Sequence, residues 1–157
     1  MTTLPIAQTL HRKGDWTGSA SRCDLDYTER FLRRKRLTMS TGEPFIVDLA
    51  QTTSLDEGDA LELDNGVLVQ ITAGVEALYK VSGPDLVRLA WHVGNRHTPC
   101  QINNDHLLIQ ADPVIGHMLE HLDAVVEPIT APFTPEGGAY GHGRTHSHEH
   151  VATAHDH

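Results

Sequence analysis

The sequence predicts an α+β chain with a small all-β domain over residues 1–72, a mixed domain over 73–133 and a histidine-rich tail over 134–157. Three observations carry this. Short apolar runs broken by turn signals fill the first half. The hydrophobic period then changes to that of helices in two segments. Beyond Phe133 apolar residues nearly vanish and histidine takes over.

In the first domain Thr41-Gly42-Glu43 marks a turn and Phe45-Ile46-Val47-Asp48-Leu49 a short strand. Leu61-Glu62-Leu63 alternates, Asp64-Asn65-Gly66 turns, and Val67 to Ile71 returns. Asn-Gly between alternating hydrophobics is a strong hairpin signal. In the second domain Val75 to Val81 reads as a strand. Gly83-Pro84-Asp85 opens a helix, with Pro in its first turn and an acid near its positive end. Leu86, Leu89, Ala90 and Val93 recur at helical spacing, and Gly94-Asn95 stops the helix. Cys100 to Ile102 and Leu107 to Ile109 are short strands. Asp112 caps a second helix behind Pro113, with Val114, Ile115, Met118, Leu119 and Leu122 as its apolar stripe. Val125 to Ile129 is the last strand. The order βαββαβ is the ferredoxin-like pattern, an antiparallel sheet with both helices on one face. The tail has too few apolar residues to offset ordering entropy and is expected to be disordered.

Composition narrows the function. A formal charge of −9 disfavours nucleic acid and anionic membrane as partners, which need a basic field, and suits attraction of a small divalent cation. The basic run Arg30, Arg33, Arg34, Lys35 and Arg36 reads as a solvated strand face or a docking patch for an acidic partner. Cys23 and Cys100 lie far apart without a CxxC motif, which argues against a disulfide framework and a thiolate zinc site. No run approaches the roughly 18 apolar residues of a membrane span. No signal-peptide pattern opens the chain, so the cytoplasm is the expected compartment.

Chemistry concentrates in the histidines. There are 12, and His142, His146, His148, His150, His155 and His157 fall in the tail. Imidazole ligates nickel, copper and zinc, and a chain bearing several can wrap one ion. Ser, Glu, Thr and Ala interleave these residues, unlike the unbroken run of an expression tag. His97 follows a helix stop and is expected to face outward. One histidine cannot hold a metal in a monomer, but a two-fold axis turns it into two facing ligands; an idle surface histidine is the plainer alternative. His117 and His121 share a helix face and can chelate, although a solvated polar face is the simpler account. His92 reads as structural, and His106 and His11 as weaker candidates. No phosphate-cradling loop or Gly-x-Ser-x-Gly elbow occurs, and no catalytic residue is assigned. Two other functions compete. One is a small metal-dependent hydrolase built on His117, His121 and Asp112 or Glu120. The other is a passive nickel or zinc buffer.

Several segments resemble the UreE family of urease accessory proteins, which are nickel metallochaperones. They are Glu29 to Arg36, Leu55 to Leu61, His92-Val93-Gly94-Asn95-Arg96-His97-Thr98-Pro99, Asp112 to Leu119 and Phe133 to Tyr140. The resemblance implies an N-terminal domain for protein contacts and a ferredoxin-like metal-binding domain through which the chain forms a homodimer, or a dimer of dimers with metal. His97 would then bind Ni(II) across the dimer interface, with tail histidines completing the shell and Zn(II) or Cu(II) competing. The partners implied are the urease accessory GTPase UreG and the apo-urease complex. Gln110-Ala111-Asp112-Pro113 departs from the family, some of whose members carry a His-x-His pattern there. Imidazole ligation predicts weaker binding as the pH falls toward about 6.

Overall fold

The computed structural model describes residues 3–137. The tail histidines and the expected disorder of residues 138–157 lie outside the described residues. The chain divides into two compact units, Met1–Gly74 and Val75–His157.

The first unit is all β, as expected. Its strands are β1 (Ile6–His11), β2 (Ser21–Leu25), β3 (Phe31–Thr38), β4 (Pro44–Ser54), β5 (Ala60–Leu63) and β6 (Leu68–Ala73). They form one mixed sheet in the order β2-β6-β5-β1-β4-β3, with β1–β4 and β2–β6 parallel. Alternation decides which side chains enter the core. Phe45, Val47 and Leu49 of β4 and Val69 and Ile71 of β6 point inward and meet Leu25, Leu37, Leu61 and Leu63. Each fully buried side chain of this size contributes about 1.5–3 kcal/mol. The Asn-Gly hairpin forms as read. The Gly66 N–H donates to Leu63 C=O at 2.9 Å, and Gly66 takes φ +88°, the left-handed position of a turn with a bulge.

Two charged residues are buried in this unit. Asp59 accepts from Arg12 Nη1 at 2.8 Å and from the backbone N–H groups of Lys13 (2.9 Å) and Asp56 (2.8 Å). The carboxylate thus ties the Asp56–Asp59 loop to the end of β1. Arg30 corrects the reading of the basic run as one surface. It is only 2% exposed, its Nη1 donates to Leu25 C=O, and its guanidinium lies over the Tyr27 ring. Arg33, Arg34, Lys35 and Arg36 do lie exposed, on the edge strand β3. Basic side chains there discourage pairing with a foreign strand.

The second unit contains β7 (Val75–Ser82), α1 (Leu86–Asn95), β8 (Gln101–Ile102), β9 (Leu107–Gln110), α2 (Pro113–His121) and β10 (Val125–Pro132). The sheet order β10-β7-β9-β8 is antiparallel throughout, as the ferredoxin-like prediction requires. Leu89 and Val93 of α1 and Ile115 and Leu119 of α2 pack on Val81, Leu107 and Ile109.

Some details differ from expectation. Pro84 precedes α1, and Asp85 is the cap, its carboxylate accepting from the Arg88 N–H. Val114 and Leu122 are exposed because they flank the buried stripe of α2 instead of lying on it. Among the described residues no helix is long and apolar enough to cross a membrane.

Candidate metal-binding surface

Helix α1 ends at Asn95, as Gly94-Asn95 predicts, with Arg96 as its cap. The His97 N–H donates to Gly94 C=O at 2.9 Å, and the Thr98 N–H donates to Val93 C=O at 3.3 Å. This pair of bonds is the Schellman closure, which puts its penultimate residue in the left-handed region. Glycine normally sits there because it has no Cβ penalty. Here His97 does, at φ +57°. Helix α2 ends the same way, with Asp123 at φ +66° and Ala124 N–H donating to Leu119 C=O. His97 follows the helix end, as the sequence predicts, and it is exposed.

The outer face of α1 leads to this turn. Val87 is 82% exposed and Trp91, one turn on, 62%. With Asp85, Arg88 and His92 they line a groove of about 600 Å³. Arg88 Nε pairs with Asp85 at 2.9 Å, and the His92 ring stands edge-on to Trp91.

Residues after β10 return to the same region. Phe133 is fully buried. The Thr134 N–H donates to Gln101 Oε1, and the Glu136 N–H to Cys100 C=O at 2.8 Å. Glu136 is therefore fastened to a residue three positions in sequence from His97. Composition gave no sign of this, because both tail-side donors are backbone groups.

The other candidates divide clearly. His117 and His121 face each other on α2, with Nε2 atoms 3.2 Å apart and rings edge-to-face at 4.6 Å. His106 has both ring nitrogens engaged, Nδ1 with Asp105 at 2.6 Å and Nε2 with Asn103 Nδ2 at 2.9 Å. That hydrogen bond holds the Asp105 carboxyl below its usual range. His11 Nε2 bonds Glu62 at 2.8 Å. Asp112 caps α2, accepting from Val114 N–H at 2.9 Å. Burial, followed by the Asp24 charge, pushes the Cys23 thiol up to about 11. Burial and then Glu136 do the same to Cys100. Neither thiol is poised as a nucleophile or soft ligand at neutral pH. Among the described residues no group of three or more His, Cys, Asp or Glu gathers where a metal could sit.

The fold defines an α+β protein of two units, one all-β and one ferredoxin-like. Residues 3–74 match the N-terminal domain of the UreE urease accessory protein, and residues 68–157 match its C-terminal domain. The chain belongs to the UreE family. It is 54% identical over 147 residues to the urease accessory protein UreE of Ruegeria pomeroyi, spanning 94% of this chain and 99% of that one. It is 57% identical over 151 residues to that of Cereibacter sphaeroides, spanning 96% and 82%. With that of Rhodobacter capsulatus it shares 53% over 150 residues, or 96% of each chain.

Proposed function

We propose that this chain is a nickel metallochaperone for urease assembly, acting in the cytoplasm as a homodimer and catalysing no reaction. Family membership supports the urease role. The observation that carries the metal role is His97, an imidazole held in a strained backbone conformation at the end of an exposed apolar helix face. Strain of this kind clusters at functional sites.

Two copies joined through Val87 and Trp91 of α1 would cover that apolar face and bring two His97 rings together. Tail histidines His142, His146, His148, His150, His155 and His157 would add nitrogen donors, a role supported by the fastening of Glu136 beside Cys100. Four to six nitrogen or oxygen donors suit Ni(II), and Zn(II) and Cu(II) compete for the same set. A shell part of which lies on the tail can capture an ion and still release it. The cargo would pass to UreG and the apo-urease complex. Asp112, one of the two carboxylates on which the competing hydrolase reading relies, is engaged as a helix cap.

The test is nickel calorimetry on four full-length proteins: the natural chain, His97→Ala, a variant with all six tail histidines replaced by alanine, and the combination. The expected result is that the tail variant keeps a reduced complement and that His97→Ala removes from it the ion centred on the dimer. If His97→Ala changes nothing and tail replacement abolishes binding, the protein is a passive buffer.

A further inference from the structure

We propose that His117 and His121 form a separate metal site, a two-imidazole chelate on the exposed face of α2 that takes a first-row divalent cation. The geometry is already that of a chelate. Metal–imidazole bonds of about 2.0–2.1 Å at angles between square and tetrahedral put two nitrogens roughly 2.9–3.4 Å apart. The Nε2 atoms of His117 and His121 stand 3.2 Å apart. Without metal, one ring must carry its proton on Nε2 and donate to the other. On binding, that ring holds its proton on Nδ1 instead, and both Nε2 lone pairs face the ion. Two histidines four apart on one helix face are an established zinc-ligating arrangement.

The helix beneath the pair is fixed. Asp112 caps it, and Ile115 and Leu119 anchor it in the core. Gly116 lets it approach Tyr79 so closely that a Cβ would lie 2.9 Å from the Tyr79 ring. The ligands are therefore positioned before the ion arrives, which lowers the entropic cost of binding. His117 and His121 are both exposed, so water can fill the remaining coordination positions. Two protein ligands with exchangeable water make a labile site, and Cu(II) should hold there most tightly of the divalent ions.

The proposal goes beyond the nickel role and uses neither His97 nor the tail. Its test starts from a full-length background in which His97 and the six tail histidines are alanine. Cu(II) is added, and binding is followed by equilibrium dialysis and electron paramagnetic resonance. About one Cu(II) per chain is expected, with nitrogen hyperfine structure and a raised thermal midpoint. His117→Ala or His121→Ala in that background should abolish all three, while circular dichroism without metal stays unchanged. Background protein that binds no Cu(II), or that binds equally well after His121→Ala, overturns the site. Either result leaves the His97 reading to its own calorimetric test.

Discussion

Replacing His97 separates its backbone from its side chain. His97→Gly and His97→Ala remove the same imidazole, so any interaction of the ring is lost equally in both. They differ in how they tolerate φ +57°. An L-residue in the left-handed region costs roughly 1–2 kcal/mol. Glycine avoids that cost but gives up about 0.5–1 kcal/mol through its greater freedom when unfolded. The glycine variant should therefore be the more stable of the two by about 0.5–1 kcal/mol. For a unit of this size that is a thermal midpoint roughly 3–6 °C higher. The measurement is urea and thermal unfolding in chelator, followed by circular dichroism. Nickel titration of both variants runs beside it and should show the same loss. If the alanine variant is equally stable or more stable, position 97 holds no left-handed strain. If the glycine variant binds nickel as the natural chain does, the imidazole is not a ligand.

Other substitutions test the scaffold. Asp59→Ala deprives two backbone N–H groups and Arg12 of their acceptor and should cost about 2–4 kcal/mol in urea unfolding, whereas loss of a surface carboxylate such as Glu43 should cost little. Gly116→Ala drives a methyl into the Tyr79 ring and should cost about 1–2 kcal/mol even though alanine favours helix; pairing it with Tyr79→Leu should recover most of the loss. With both thiols pushed up to about 11, thiolate at pH 8 is on the order of one part in a thousand. A disulfide reagent should label the native protein slowly and the urea-unfolded protein fast, and rapid native labelling would contradict that burial.

Local signals were enough for part of this architecture. Asn65-Gly66 announces its hairpin, and Asp112-Pro113 announces its helix, because each acts on backbone within a few residues. Strands β1 and β2 carry no such mark. They pair in parallel with β4 and β6, and Ile6 meets Ile46 only through the tertiary fold. Arg30 looks like its basic neighbours in sequence. What buries it is the Leu25 carbonyl and the Tyr27 ring, a local trap that charge counting misses. Period alone cannot say where an apolar face ends, and Val114 and Leu122 fall outside the buried stripe of α2. At the site, composition singled out the histidines and spacing paired His117 with His121. The left-handed turn at His97 is set two residues beyond the stop at Gly94-Asn95, where no glycine signals it.

The hydrogen bond from Glu136 to Cys100 has a consequence for concentration. It fixes Glu136 beside Cys100. His142 lies six residues beyond Glu136, a span of at most about 20 Å, and His97 lies three residues before Cys100, at most about 11 Å. On the proposed reading, a tail histidine within that reach meets an ion at His97 at an effective concentration on the order of millimolar. Dilution of the protein leaves that value unchanged. Histidines of the same chain should therefore outcompete those of any other molecule, and a free tail peptide should replace the natural tail only when supplied at about millimolar concentration.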